Sequence, residues 1–165
     1  PMSEDEMYMF ITENRADNEF IEPATFKERF IALLESFPAP VVQQMKGMLH
    51  EKSMIHYRPL ESMLMRAPWY SNRVVLIGDT VHATTPHLAS GACIGLEDAI
   101  VLAEELDDKA TLSQALSAFQ ARRWERCRLV VENSGRLAEI EIEGGDKMEH
   151  AGIMRDSAIA MAQPL

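Results

Sequence analysis

RVVLIGDTVHATTPHLASGACIGLEDAIVLAEEL, residues 73–106, is the stretch that decides the fold. An apolar, β-branched run over residues 74–77 predicts a buried strand that ends at Gly78 and Asp79. A loop containing Pro86 follows, and small residues then open a long apolar helix. A carboxylate after a strand, next to unpaired amides at a helix N-terminus, is suited to binding a polar ligand. The sequence therefore predicts a strand, a ligand loop and a helix in that order.

Length, charge and cysteine content bound the class of protein. The chain has 165 residues, of which 47% are hydrophobic, and a formal net charge of −10. This is enough for one domain or a piece of a larger one. Nucleic acids and anionic membranes select clustered Lys and Arg, so we expect neither as a partner. Two cysteines without metal-ligand spacing, and no apolar stretch long enough to span a bilayer, predict a reduced, cytoplasmic protein.

Elements are also predicted before the central stretch. Alternating side chains over residues 7–13 predict a strand, and a polar turn follows at residues 14–18. A capping box of Thr25 and Glu28 predicts the start of a helix that ends before Pro38. A short helix is predicted at residues 41–49, an extended segment at 54–65 and a loop at 67–72.

Helices are predicted after the central stretch as well. Thr111 and Gln114 form a second capping box, which predicts a long helix that reaches about Asn133. Beyond a break at Ser134 and Gly135, residues 139–143 fit either a strand or a frayed helix. Two glycines then precede a last helical segment at residues 146–162.

The central stretch resembles the second flavin-binding motif of FAD-dependent aromatic hydroxylases, the class A flavoprotein monooxygenases of the p-hydroxybenzoate hydroxylase fold. Their pattern is GDAAH, a proline, a small-residue loop, and a helix with an acidic residue followed by Asp-Ala. The matching residues here are Gly78-Asp79-Thr80-Val81-His82, Pro86, residues 88–91, and Glu97-Asp98-Ala99. Arg122, Arg123 and Ser134 also fit the family's next segment. Thr80 and Val81 replace two alanines of the pattern, and Ala89 stands where a glycine is frequent.

The resemblance implies an enzyme with FAD as cofactor. Such an enzyme would use NAD(P)H and O2 to hydroxylate an aromatic or related small molecule. By the same resemblance Asp79 would bind the ribityl chain and Pro86 would lie beside the isoalloxazine ring. The amides of Ala92 and Cys93 would face the pyrimidine edge of the ring. The predicted cofactor-binding set is Gly78, Asp79, Pro86, Gly91, Ala92 and Cys93, and no residue is assigned as catalytic acid or base.

One signature of the resembled family is missing. No GxGxxG spacing, the dinucleotide-binding turn of a Rossmann βαβ unit, occurs among the eight glycines. We therefore expect a helix-rich, mixed α/β fold that corresponds to the C-terminal part of such an enzyme. Residues 1–66 would be a remnant of the substrate-binding domain, and residues 67–165 the flavin-facing part. The chain alone should be inactive and bind FAD weakly, and its uncovered edge and apolar face predict a homodimer or a strand-exchanged oligomer.

Two other functional classes were weighed against a flavoprotein. A non-catalytic interaction or scaffold module, or an inert dimeric fragment, would explain the missing dinucleotide turn directly. A metal-dependent hydrolase would use His82 and His87 beside Asp79, but the Asp, Asn and His clusters of a two-metal site are lacking elsewhere. We therefore expect no bound metal. A serine hydrolase is disfavoured because the sequence has no GxSxG elbow.

Overall fold

The computed structural model describes residues 2–4, 6–13, 15 and 20–165. Contacts divide the chain into two compact units, Pro1–Pro59 and Leu60–Leu165. Helices dominate, and one two-stranded sheet is present in the described ranges, so the predicted helix-rich, mixed architecture is confirmed. None of the helices in these ranges combines the length and apolar composition that a membrane crossing requires. The origin proposed for residues 1–66 and 67–165 stays a prediction.

The first unit contains two short helices, α1 (Phe26–Glu35) and α2 (Pro40–Gly47). Both were predicted within a few residues. The side chain of Gln43 joins them, since its amide donates to the carbonyl oxygens of Leu34 and Phe37 at 3.2 and 2.7 Å. The predicted capping box at the start of α1 is wrong. The residues before α1 form a 3₁₀ turn, and the hydroxyl of Thr25 donates back to the carbonyl of Glu22 at 2.8 Å.

Two extended segments predicted from the sequence do not become strands. Residues 7–13 are irregular, and a strand needs a neighbour to pair with, which the described part of this unit does not supply. The turn predicted at 14–18 falls mostly outside the described residues. The segment 54–65 is irregular too, although Met63 and Met65 donate backbone hydrogen bonds to Ala83 and Val81 at 2.8 and 2.7 Å.

A β-hairpin contains the first regular secondary structure of the second unit. Strands β1 (Tyr70–Ser71) and β2 (Val74–Val75) pair antiparallel, with Tyr70 opposite Val75. Asn72 lies in the two-residue turn with φ 53°, a conformation that asparagine tolerates. The predicted buried strand over 74–77 is therefore wrong in two respects. It is shorter, and Val74 is 63% exposed because the hairpin offers it no covering layer. The loop predicted at 67–72 contains β1.

Four helices follow the hairpin: α3 (Asp79–His82), α4 (Gly91–Asp108), α5 (Leu112–Glu143) and α6 (Lys147–Met161). Thr111 caps α5 as predicted, accepting from the amide of Gln114. The predicted end near Asn133 is wrong, because Leu137 and Ile140 continue the buried face of α5. The ambiguous residues 139–143 are thus its last turns. Gly144, with φ 65°, ends the helix in the left-handed conformation that glycine adopts without strain.

The core of the second unit lies between the hairpin and the long helices. Its buried members are Trp69, Val81, Ile94, Val101, Phe119, Cys127 and Val130. Trp69 is held at both polar atoms: its backbone amide donates to the side-chain oxygen of Gln120 at 2.7 Å, and its indole N–H donates to the carbonyl of Met65 at 2.9 Å. This packing fixes the hairpin against α5. The position of the chain that follows the hairpin is set by that contact.

We expect glycine-to-alanine substitutions at two positions to have opposite effects. Gly78 has φ 63° and ψ −146°, a region that L side chains rarely enter, although a Cβ there would meet nothing within 4 Å. Gly78→Ala should therefore destabilise the protein by about 1–3 kcal/mol through backbone strain alone. Gly135 lies inside α5 with equally open space, so Gly135→Ala should stabilise it by about 0.5–1 kcal/mol. Urea unfolding followed by far-UV circular dichroism measures both, and effects of the same sign would contradict this.

Candidate cofactor site

The turn after the hairpin presents a free carboxylate. The amide of Leu76 makes the last hydrogen bond of the hairpin, to the carbonyl of Trp69 at 2.8 Å. Gly78 then reverses the chain with its positive φ, and Asp79 begins α3 as an exposed residue. Within the described part of the chain, the Asp79 carboxylate has no hydrogen bond and no ion pair. A carboxylate in this state can accept hydrogen bonds from the hydroxyl groups of a ligand.

Unpaired backbone amides lie at the start of α4. No side chain caps this helix end, and the first hydrogen bond into it runs from the amide of Ile94 to the carbonyl of Ser90 at 3.0 Å. The preceding amides of Ala92 and Cys93 are therefore without intrahelical partners, and both residues are exposed. The positive end of the helix dipole adds to the field of these donors. This helix end is suited to an electron-rich edge of a ligand.

Close packing of small residues brings the turn and the helix together. A Cβ on Gly95 would lie 3.7 Å from the Cα of Gly78, so the backbone of the turn lies against the second turn of α4. A Cβ on Gly91 would lie 3.0 Å from the Cγ2 of Thr84, tighter than ordinary contacts between carbon atoms. Asp79 thus follows Gly78, which packs against α4. The first turn of the same helix carries the unpaired amides.

The loop between these two elements carries the predicted proline. Pro86 is exposed at the start of a 3₁₀ turn, Pro86–Leu88, and Ala89 follows with φ 50°. This left-handed conformation explains in physical terms why a glycine suits the position of Ala89. His87 is directed elsewhere, with Nδ1 2.9 Å from the hydroxyl of Thr85 and Nε2 3.4 Å from the carboxylate of Glu141.

A buried carboxylate that sequence reasoning did not single out holds the turn in place. One oxygen of Asp98, on α4, accepts from the amide of Gly78 at 2.9 Å and lies 2.6 Å from Nε2 of His82. Its other oxygen accepts from Nε of Arg123, on α5, at 2.8 Å. The side chains of Asp98 and His82 have no solvent exposure, and that of Arg123 has 1%. In the sequence, only the family resemblance of Glu97-Asp98-Ala99 and of the neighbouring arginines Arg122 and Arg123 pointed to these residues.

This network changes the protonation of its members. Burial by itself would raise the pKa of Asp98, but hydrogen bonds from His82, the Gly78 amide and Arg123 together hold it below its usual value. Burial raises the pKa of the Cys127 thiol to about 12, although Arg123 opposes that shift. Asp98 is therefore a carboxylate and Cys127 a neutral thiol at neutral pH.

Three potential metal ligands meet in the same network. Ligand atoms of His82, Asp98 and Cys127 lie within 4.8 Å of one another. The guanidinium of Arg123 lies against two of them, 2.8 Å from Asp98 and 3.6 Å from the sulfur of Cys127. Its positive charge already matches the carboxylate, and the thiol is not a thiolate. The chemistry of this donor set therefore favours the arginine over a metal ion.

We expect acid to weaken the contact between α4 and α5. Asp98 and Glu97 both have a pKa below the ordinary values of 3.8 and 4.5 in the folded protein. Burial raises the pKa of each carboxyl group, but hydrogen bonds to the carboxylate lower it by more. Arg123 donates to both carboxylates, Arg126 to Glu97, and His82 and the Gly78 amide to Asp98. Their stabilisation is complete above about pH 5 and is lost as pH falls through the lowered values. Urea unfolding at pH 7, 5, 4 and 3 should show this loss as a falling free energy of unfolding. The free energy should fall less steeply with pH in Glu97→Gln, and as in the wild type in Asp107→Asn, where the replaced residue is exposed. A free energy of unfolding that is constant down to pH 3 would contradict this expectation.

Comparison with known proteins gives the family. The sequence matches the family described as FAD binding domain over residues 1–134. A putative FAD-dependent monooxygenase of Bacillus subtilis, YetM, is 30% identical over 87% of this chain and 38% of its own length. The aurachin C monooxygenase/isomerase of Stigmatella aurantiaca is 31% identical over 85% of this chain and 36% of its own length. The chain thus spans little more than a third of these relatives.

Solved structures show the same fold. PqsL of Pseudomonas aeruginosa, a probable FAD-dependent monooxygenase, superposes with a TM-score of 0.61 at 24% identity, over 78% of this chain and 35% of PqsL. HpxO of Klebsiella pneumoniae, in a complex with FAD, superposes with a TM-score of 0.56 at 23% identity, over 81% of this chain and 39% of HpxO. The match over residues 1–134 shows that the chain belongs to the FAD binding domain family, and relatives named as FAD-dependent monooxygenases share its sequence.

Proposed function

We propose that this chain forms the isoalloxazine-facing half of an FAD site in a monooxygenase. The observation that carries the proposal is the free carboxylate of Asp79, which follows Gly78, a residue packed against α4, the helix whose N-terminus is uncapped. In this arrangement Asp79 binds the hydroxyl groups of the ribityl chain. The amides of Ala92 and Cys93 face the pyrimidine edge, where reduced flavin carries negative charge, and the helix dipole stabilises that charge. Gly78, Gly91 and Pro86 complete the site.

The residues present fit FAD in their chemistry. The carboxylate supplies acceptors for hydroxyl groups, and the amides supply donors for ring oxygen and nitrogen atoms. Gly91 and Gly95 let Thr84 and Gly78 pack closely against the start of α4, while Ala92 and Cys93 remain exposed. The cofactor supplies electron transfer and oxygen activation when bound, while this chain binds and orients it and stabilises charge on it.

The overall reaction and its small molecules form part of the same proposal. We infer an enzyme that uses NAD(P)H and O2 to hydroxylate an aromatic or related small molecule. Support comes from relatives named as FAD-dependent monooxygenases and from PqsL, whose structure was solved in complex with 2-aminobenzoylacetate. The chain covers about a third of such enzymes, so it should be inactive by itself and bind FAD weakly. No described residue is placed as a catalytic acid or base.

Titration with FAD tests the half-site. We expect flavin fluorescence and the amide signals of Ala92 and Cys93 to change at high micromolar FAD or above. Asp79→Asn should weaken this binding about tenfold or more, because it removes charge-assisted hydrogen bonds. Asp107→Asn, at the far end of α4, removes an equally exposed charge and should have no effect.

Two results would count against the proposal. Stoichiometric binding at sub-micromolar FAD would show that 165 residues suffice for the cofactor and would overturn the half-site. Equal loss in Asp79→Asn and Asp107→Asn would show that Asp79 has no specific role.

A second function, a non-catalytic interaction module, is favoured by one surface. The apolar face of α4 consists of Ala92, Leu96, Ala99, Ile100, Ala103 and Leu106, all exposed. Leu96 is 67% and Ile100 52% exposed, in a helix whose opposite side is fully buried at Ile94 and Val101. Contiguous apolar surface of this kind marks an interaction site. We propose that in solution a second copy of the chain covers it, as a homodimer or by strand exchange.

We expect the chain to sediment as a dimer at tens of micromolar. Leu96→Asp combined with Ile100→Asp should shift it to monomer, because the apolar face of α4 would then carry two buried charges in the dimer. Ile159→Asp, at a similarly exposed position on α6, serves as the matched control and should leave the dimer unchanged. A wild-type chain that sediments as a monomer at this concentration would contradict self-association.

A further inference from the structure

We propose that Asp98 is a positioning residue: it fixes the turn that presents Asp79, and it holds His82 as the Nε2–H tautomer. This inference rests on the proposed function in one respect, the identity of the ligand that Asp79 binds. The anchoring of the turn stands on contacts among the residues of this chain.

The two contacts of one Asp98 oxygen bracket Asp79. Gly78 donates its amide from the residue before Asp79, and His82 donates from three residues after it, at 2.9 and 2.6 Å. Within the turn, the amides of Val81 and His82 bond back to the carbonyl of Gly78, each at 3.0 Å, and the hydroxyl of Thr80 donates to the carbonyl of Ile77. A single helical turn of this kind does not hold its shape alone. Bonds from outside it therefore decide its orientation: those to Asp98, and the one from the amide of Met65 to the carbonyl of Val81 at 2.7 Å.

The second oxygen of Asp98 connects the turn to the other half of the site. Arg123 donates Nε to that oxygen at 2.8 Å and Nη2 to the carbonyl of Ile94 at 3.1 Å. Ile94 lies in the first turn of α4, directly after the unpaired amides. One Asp98–Arg123 pair thus holds both the Asp79 turn and the helix start. It sets the spacing between the two groups proposed to bind FAD.

The tautomer of His82 follows from the same geometry. An ionised carboxylate only accepts hydrogen bonds, so Nε2 of His82 must carry the proton. The other ring nitrogen, Nδ1, is buried and has no hydrogen-bond partner among the described residues. We therefore assign the ring as the Nε2–H tautomer, held by its hydrogen bond to Asp98 and by packing against Trp69, with the two ring centroids 5.5 Å apart.

The chain contains a matched control for this pair. Glu105 lies two turns after Asp98 on α4 and accepts from Nη1 of Arg122, on α5, at 2.8 Å. The two pairs join the same two helices through the same chemistry. Glu105 has no bond to the turn or to His82. Loss of either pair weakens the helix contact, but loss of Asp98 alone should release the turn.

Nuclear magnetic resonance of the 15N-labelled chain at pH 8 tests the proposal. Long-range 1H–15N spectra of the wild type should show the Nε2–H tautomer of His82. In Asp98→Asn the His82 ring signals should change, and hydrogen exchange of the Gly78 amide should accelerate about tenfold or more relative to that of the Phe119 amide. Glu105→Gln should leave both readouts as in the wild type. Referring exchange to a core amide separates release of the turn from general loss of stability.

Several results would overturn the proposal: an Nδ1–H tautomer in the wild type, unchanged Gly78 exchange in Asp98→Asn, or equal acceleration in Glu105→Gln. If Asp98→Asn does not fold, Arg123→Lys takes its place. The lysine keeps a positive charge near Asp98 but lacks the second nitrogen donor that bonds the carbonyl of Ile94. It should therefore shift the amide signals of Gly78 and Gly95 while preserving the His82 tautomer. Unshifted signals would then reject the proposal.

The outcome can be separated from that of the proposed function. FAD added to the wild type should change the amide signals of Ala92 and Cys93. If FAD changes nothing while the Gly78 and His82 readouts behave as expected, the flavin assignment fails and the anchoring by Asp98 stands. If FAD binds and the Asp98→Asn readouts match the wild type, the anchoring fails and the flavin assignment stands.

Discussion

A carboxylate without solvent exposure must receive hydrogen bonds from the protein, and Asp98 receives them from three parts of the chain. The Gly78 amide, the His82 ring and the Arg123 guanidinium replace the water that burial removed. Arg123 in turn depends on Asp98, because removing one partner of a buried ion pair costs about 3–5 kcal/mol. The position of the turn and the contact between α4 and α5 are therefore coupled. The geometry of the candidate site is therefore set by the Asp98–Arg123 pair, which is not among the groups proposed to bind the ligand.

Near the Asp98–Arg123 pair, other arginines of α5 also form ion pairs with carboxylates of α4. Arg122 binds Glu105 on α4, and Arg126 binds Glu97 on α4 while it donates to the carbonyls of Ala160 and Met161 at the end of α6. The carbonyls at a helix C-terminus lack intrahelical donors, so a guanidinium with five N–H groups can satisfy several of them at once. Arg122, Arg123 and Arg126 thus hold neighbouring helices, whereas Arg128 pairs with Glu125 and Glu132 on α5 itself.

Local patterns in the sequence predicted the elements that depend on local physics. The cap of Thr111 on α5, the helix stop at Gly144 and the start of α6 at Asp146 follow from residues within one or two turns. Pairing partners and buried networks depend on residues far apart in the chain. Val74 and Val75 looked like a buried strand, and only the fold shows that a short antiparallel hairpin leaves Val74 exposed. Ser134 and Gly135 looked like a break, yet the buried face of α5 continues through them.

The same distinction applies within the candidate site. Asp79 and the amides of Ala92 and Cys93 can be picked out from sequence because their chemistry is carried by the residues themselves. Asp98 acts through contacts with residues 16 to 25 positions away, and its local sequence differs little from any acidic helix. Burial, rather than residue type, separates it from Glu104 or Asp107, and burial is a property of the fold.

One helix serves two purposes, and this bears on how the site could be completed. The N-terminal end of α4 carries the unpaired amides proposed for the flavin, and its long side carries the apolar face. Ala92 belongs to both, so a polypeptide that covers Leu96 and Ile100 would also extend to the first turn of the helix. Burial of that face would exclude water from the amides and strengthen their hydrogen bonds to a ligand. Association along α4 would therefore favour tighter binding at the proposed half-site, because whatever covers the apolar face would also lower the dielectric around the amides.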